Sequence, residues 1–400
     1  MAPPTLPFAS LWASPFRPLC VLGVAYGIAL MAAWLAVRAG VAAAPDAPLW
    51  HGHEMLFGFA SAIVCAIALT ALPGWAGTPE IRGAPLAGLV ALWAVARAGF
   101  WFRDALPAWL GVATACALWV VLGAMLARQL MRIADRTWLL LLVVIAGMFA
   151  GEALFGAGEV QTGLRAALYS IVLLFALAGG VFTPVFTGNH LRATGRGAQA
   201  PFVRPLEVAS IGAIVVLAAV DLAGAPASWR AVAAFAAFIL HAVRLGRWRG
   251  WKVLDVPLLW TMHAGYAWLV AAFLLRALGE LGLPGAERAW LHAFTAGALG
   301  SVMIGLMTRV ALRHTGRPLA IPRAMVAAFL LVQAAALIRT GAAIANGGEA
   351  WVAAAGLAWI AAFALYLVCY GSILVTPSLP RAVASPLTAD TRPGSDASPR

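Results

Sequence analysis

Twelve stretches of mostly apolar residues, each near twenty long, follow one another along this chain of 400 residues, and nothing constrains its fold more. About 20 such residues let a helix cross the hydrocarbon of a bilayer. The stretches fall at 18–38, 52–72, 84–102, 107–127, 137–156, 163–186, 206–224, 229–246, 257–276, 288–312, 321–342 and 350–373. Turn formers or charges separate them, at Pro73-Gly74, Arg103-Asp104, Asp135-Arg136, Gly156 to Gly158 and Asn346-Gly347-Gly348. Only 10% of residues are charged and 63% are hydrophobic, whereas soluble domains carry about 25% charged residues. With a mean hydropathy of +0.91, the apolar excess is too large for one soluble core. A soluble enzyme is excluded, and so is a nucleic-acid-binding protein in spite of the net charge of +12. The expected fold is all-α, a polytopic transmembrane bundle of 12 spanning helices forming one domain over residues 1–376. Residues 377–400, rich in Pro, Ser, Thr and Ala, read as a disordered cytoplasmic tail.

The positive charges orient the spans. Even-numbered loops hold fifteen basic residues, among them Arg128, Arg132, Arg136, Arg244, Arg247, Arg249 and Lys252, against seven in the odd-numbered loops. Basic loops stay in the cytoplasm, so both termini are expected inside. The first sixteen residues lack a basic segment followed by a cleavable apolar core, so the first span reads as a retained insertion signal. Cys20, Cys65, Cys116 and Cys369 lie singly in apolar runs with no C-x-x-C pair, which points to buried thiols and no disulfide framework. No motif of residues 1–200 recurs in 201–400, a weakness for a transporter built from two related halves.

Against this apolar background seven histidines stand out: His51, His53, His190, His241, His263, His292 and His314. His190, His241 and His314 fall at cytoplasmic helix ends among arginines and read first as interfacial residues. An ionisable group within a span is a functional candidate by default. His51 and His53 open the second span and His292 the tenth, at matching depth on the expected outer side, while His263 lies six residues into the ninth, nearer the inner side. Neutral imidazole is a ligand for haem iron and copper, and without cysteine pairs or carboxylate clusters this chain could offer a metal only histidine. If both are helical, His51 and His53 point to opposite sides, about 200° apart. Either they serve different centres, or His51 sits in a non-helical lead-in and bends round through Gly52. Glu54 reads equally as a proton carrier or as an acid favoured by the helix N-terminus. Arg97 and Arg103 reach the same depth and suit haem propionates, and Arg97 suits a pairing with Glu54 equally well. Trp50, Trp75, Trp101, Trp109 and Trp290 read mostly as an interfacial belt.

Three blocks carry a resemblance. Leu49-Trp50-His51-Gly52-His53-Glu54-Met55-Leu56-Phe57-Gly58-Phe59, with Ala71-Leu72-Pro73-Gly74-Trp75-Ala76-Gly77 after it, resembles the N-terminal hallmark of the NnrS family. Pro257-Leu258-Leu259-Trp260-Thr261-Met262-His263-Ala264-Gly265-Tyr266-Ala267-Trp268 is similar to its middle block. His292 through Gly297-Ala298-Leu299-Gly300 and Met307-Thr308-Arg309 to His314-Thr315-Gly316-Arg317-Pro318 resembles the third. The resemblance implies a twelve-helix protein of the bacterial inner membrane that contains haem b and copper and acts in the nitric oxide response, in denitrification or relief of nitrosative stress. It makes His51, His53, His263 and His292 the ligand candidates, and places His314, Arg309 and Arg317 in a shared motif of unassigned role. One departure is visible: an Arg expected after the paired glycines of the sixth span is replaced in Gly179-Gly180-Val181. His190 lies outside the family pattern.

The leading expectation is a haem-copper membrane protein that binds or reduces nitric oxide, with Glu54 carrying protons and a quinol or separate carrier donating electrons. A haem-based sensor or sink without turnover is the alternative, and a twelve-helix solute transporter the third. The charge asymmetry is checked directly by reporter fusions after Thr376. A fluorescent protein there should fluoresce and alkaline phosphatase there should be inactive; the opposite pair of readings overturns the orientation.

Overall fold

The computed structural model of the chain describes residues 9–44, 46–103 and 105–380; most of the expected tail, residues 381–400, lies outside them. Among the described residues every regular element is helical. Twelve helices are long and apolar enough to cross a membrane: α1 Phe16–Arg38, α2 Ala47–Ala76, α3 Gly83–Trp101, α4 Trp109–Leu130, α5 Arg136–Gly156, α6 Val160–Ala193, α7 Arg204–Leu222, α8 Ala227–Arg247, α9 Pro257–Glu280, α10 Ala286–His314, α11 Arg323–Ile344 and α12 Glu349–Val375. They match the sequence segments one for one. The number of residues needed to span hydrocarbon leaves little freedom once the apolar runs are given.

Two helices outrun their expected ends. In α2 the Pro73-Gly74 pair does not break the helix, which continues to Ala76 and stops at Gly77, left-handed at φ 64. The Gly77 amide caps the helix by donating to the Pro73 carbonyl. Helix α6 runs 34 residues straight through Pro184, and at 1.5 Å per residue it is longer than a bilayer core is thick. Its surplus carries His190 and Arg192 past the span expected at 163–186.

Burial sorts the spans. In α2, α6 and α10, 78, 72 and 72% of the apolar stretch is buried, against 22–56% in the rest, so these three form the interior and the others wrap them. The interior helices recur every fourth span, an order that sequence inspection for a twofold repeat could not reveal. Helices α1 and α12 pack together, so the first and last spans are neighbours. The buried Arg17 of α1 locks that contact by donating to the carbonyls of Leu374 (2.7 Å) and Thr376 (2.6 Å) and to Ser378 Oγ (2.9 Å).

Close backbone approach needs glycine where α5 meets α6. A Cβ added to Gly163 would sit 2.6 Å from the Gly151 carbonyl oxygen and 2.7 Å from the Phe155 nitrogen. Gly163→Leu should therefore force the two helices apart and cost about 1–3 kcal/mol, read as a lower unfolding temperature in detergent; an unchanged transition would show that the contact is slack.

Candidate functional site

The interior helices α2 and α10 share an unusual construction. Each opens with seven α-helical residues ending in histidine, Ala47–His53 and Ala286–His292. Each then passes through seven residues of π-helix, Glu54–Ala60 and Ala293–Leu299, before resuming the α-helix. A glycine falls five residues after each histidine, Gly58 and Gly297. π-Segments inside helices are rare and concentrate at functional sites. Carbonyls loosened by the wider turn find side-chain donors in α2: Trp93 Nε1 reaches the Gly58 oxygen at 3.1 Å, and Ser61 Oγ reaches it at 3.0 Å. Gly58 also lets α1 and α3 approach, since a Cβ there would press on Tyr26 and stand 3.3 Å from Arg97 Cδ.

Beside the first π-segment lies a closed polar knot. His53 Nδ1 is 2.8 Å from Glu54 Oε1, and Nε2 is 3.0 Å from Glu152 Oε2 on α5. Arg97 of α3 donates to Glu54 Oε1 at 2.6 Å and to Glu152 Oε1 at 3.3 Å. All four side chains are buried. Tyr26 of α1 donates to Glu54 Oε2, and Trp101 Nε1 donates to the Tyr26 hydroxyl at 2.6 Å. Phe100 stacks on His53 at 3.9 Å, with Phe155 at 4.4 Å. A neutral imidazole has a single N–H and cannot donate to two ionised carboxylates. One further proton, on the ring or on a carboxyl group, is needed; the same proton brings the two carboxylates and one guanidinium to neutrality. Neither nitrogen of His53 is free for a metal, and Arg97 is taken by carboxylates.

His51, helical like His53, faces elsewhere. Its ring stacks on Trp34 of α1 at 4.5 Å, and its Nδ1 is buried without a partner. It lies within electrostatic range of His292 and Arg339. His292 Nδ1 donates to the Arg288 carbonyl at 2.8 Å, which leaves Nε2 as the lone-pair nitrogen. Of the two geometries open for His51-Gly52-His53, the structure adopts the one in which they serve different surroundings. Arg103, expected near a propionate, lies over the Phe100 ring at 5.2 Å and is exposed.

The other candidates sit towards the opposite end. Thr187 Oγ1 lies 2.9 Å from His263 Nε2, while His263 Nδ1 is buried without a partner beside Gly250. A groove of about 530 Å³ between Trp251, Trp260 and Leu330 borders this ring. The third-block residues serve the C-terminal segment: the Thr315 carbonyl accepts from the Leu379 amide at 2.9 Å and the His314 carbonyl from Ser378 at 3.2 Å. The Arg317 guanidinium turns back to the Thr315 carbonyl at 3.4 Å, and Arg309 covers the Phe186 ring at 3.7 Å.

Sequence reasoning missed several partners. Glu152 and Tyr26 carry no motif, and only their packing against α2 exposes their role. His241 is no interfacial residue: it is buried, Tyr266 donates to its Nδ1 at 2.7 Å, and its Nε2 donates to the Ser210 carbonyl at 3.1 Å. Arg244 donates to the same Tyr266 oxygen at 2.7 Å, to the Ala176 carbonyl at 2.8 Å and to Glu207. This guanidinium lies against Gly180, so the positive charge absent from position 181 reaches that level of α6 from α8. A third network ties α6, α7, α9 and α10 near His292: Asp221 accepts from Tyr169 (2.9 Å) and Arg276 (2.6 Å), and Arg276 also binds Glu280 and Glu287.

Twelve apolar helices of spanning length that enclose a buried polar knot define a polytopic helical membrane protein. The sequence model of one family, described as NnrS protein, matches residues 10–378, and the chain belongs to the NnrS family. A comparison with proteins of curated function returns no match.

Breaking a buried ion pair from one side leaves an uncompensated charge and costs about 3–5 kcal/mol. Arg97→Ala should lose stability on that scale in detergent unfolding, and adding Glu152→Gln should restore part of it. An Arg97→Ala protein as stable as the parent would mean that the knot is solvated.

Proposed function

We propose that this chain is a haem protein of the bacterial inner membrane that binds nitric oxide, with His51 and His292 as the residues that would hold the haem. The single observation that carries the reading is the pair of available imidazole nitrogens from α2 and α10. His292 has its Nδ1 proton anchored on the Arg288 carbonyl, the outer-sphere bond that orients a ligating imidazole and raises its basicity. His51 has a buried nitrogen with no partner, held by stacking on Trp34. Haem iron, when bound, supplies the diatomic-binding and electron chemistry. The family membership is consistent with a role in the nitric oxide response, and the haem, with denitrification or nitrosative stress as its setting, is what the sequence resemblance implies.

Copper fits less well. Among the described residues no three His, Cys, Asp or Glu side chains gather where a metal ion could be held. Among the described residues a copper ion would find isolated imidazoles such as His263.

The chain's own residues do the rest. The knot of His53, Glu54, Arg97 and Glu152 stores one proton beside the imidazole pair, and Trp101 and Tyr26 extend it towards the half-exposed rim of α3. Glu54 is thereby a proton carrier, and His53 belongs to proton handling instead of ligation. Electrons would come from quinol or a separate carrier. A sensor or sink would need the same imidazole pair without the proton store, so the knot favours turnover.

Spectra of the purified protein test this. A haem Soret band should be present, His51→Ala and His292→Ala should each lose haem at least about tenfold, and His53→Gln should keep the haem but slow anaerobic nitric oxide consumption. Protein from haem-replete cells that shows no Soret band, or a band indifferent to both alanine substitutions, sinks the proposal.

A further inference from the structure

Around the His51–His292 pair the charges do not balance. Arg339, in the last two turns of α11, lies within electrostatic range of both imidazoles and of Arg288 and Arg38. Glu349 is the carboxylate within range of Arg339, and Arg38 already engages it with two N–H groups, Nε at 2.9 Å and Nη2. Among the described residues no hydrogen bond or ion pair engages the partly buried Arg339 guanidinium. The fully buried arginines of the bundle are met by acceptors: Arg97 by two carboxylates, Arg244 by Glu207 and a carbonyl, Arg276 by Asp221, Glu280 and Glu287. Arg339 therefore has donors to offer to an acceptor that arrives with a ligand.

The geometry says what the ligand carries. Three guanidiniums against one carboxylate leave a surplus of two positive charges, and the planar Arg fork matches carboxylates in particular. The surplus is continuous with the imidazoles. The Arg38 guanidinium lies over the Trp34 ring at 5.6 Å, and that ring stacks on His51. On the other side, Arg288 lends its carbonyl to His292. The segment of α10 that bears His292 packs against α11, which bears Arg339. At its N-terminus Gly285 permits this contact, because a Cβ there would overlap the Ala343 carbonyl.

We infer that Arg339, with Arg288 and Arg38, is a carboxylate clamp that binds the two propionate side chains of the haem held by His51 and His292. This rests on the haem reading above and moves the propionate role away from Arg97 and Arg103. The first is consumed by Glu54 and Glu152, and the second stands over Phe100. The clamp is a positioning device: its guanidiniums would hold the carboxylate side chains of the haem beside His51 and His292. Its positive charge also favours the reduced iron.

The test compares haem b with its dimethyl ester, in which both carboxylates are blocked, titrated by Soret absorbance into full-length apoprotein in detergent. The parent protein should bind the ester at least about tenfold more weakly than haem b. Arg339→Gln should weaken haem b by a similar factor, erase the discrimination and lower the midpoint potential, while Arg339→Lys keeps part of each. Arg288→Gln, at an exposed position, provides a second variant whose folding is not in question and should act in the same direction. Equal binding of haem b and its ester by the parent overturns the clamp, as does an Arg339→Gln protein unchanged in affinity and potential. Discrimination that survives His51→Ala and His292→Ala keeps the clamp and removes the ligands instead. A parent protein that takes up neither haem overturns both.

Discussion

A carboxylate enclosed in hydrocarbon costs several kcal/mol unless its charge is met at close range, and Glu54 is wholly enclosed. Much of the bundle follows from how that charge is met. Arg97 on α3, Tyr26 on α1, Glu152 on α5 and the adjacent His53 all converge on it or on one another. Four helices must hold compatible depths and rotations for this knot to close. Van der Waals packing between apolar helices in lipid specifies depth weakly, because hydrocarbon is as good a neighbour as leucine. Polar knots supply what packing lacks. The Asp221–Arg276 network does the same for α6, α7, α9 and α10, and the His241–Tyr266–Arg244 network for α6 to α9.

The knot depends in turn on the π-segment of α2. A change of helical pitch directly after His53 turns Glu54 and Gly58 onto the side where Tyr26 and Arg97 wait. Helix α10 repeats the device after His292, but with Ala293 where α2 has Glu54, so no knot forms and the imidazole keeps a free nitrogen. Two helices of one construction thus reach opposite chemical ends. In one the histidine is saturated by carboxylates; in the other it is oriented by a carbonyl and left open.

The number and order of spans were legible because each is a local property, a run of apolar residues long enough to cross hydrocarbon. The second helix's histidines and Glu54 were legible as candidates for a related reason: polar residues are conspicuous where few are affordable. Pairing between distant segments was not. Nothing marks Glu152 as the partner of His53, 99 positions away, or Arg339 as the neighbour of His51. The π-segments escaped too. A run such as Glu54–Ala60 has no composition that separates five-residue from four-residue bonding, and an H-x-x-x-x-G spacing found twice is too common to notice.

Twelve apolar runs therefore carry the architecture almost alone, since a continuous apolar segment of spanning length satisfies its backbone polar groups in hydrocarbon by coiling into a helix. The chemistry is another matter. Whether His53 carries a proton or a metal, and whether Arg97 or Arg339 meets a ligand's carboxylates, depends on which groups on other helices arrive within hydrogen-bonding distance. That is settled only when the helices pack, because the energy of a buried charge depends on its neighbours in space and hardly at all on its neighbours along the chain.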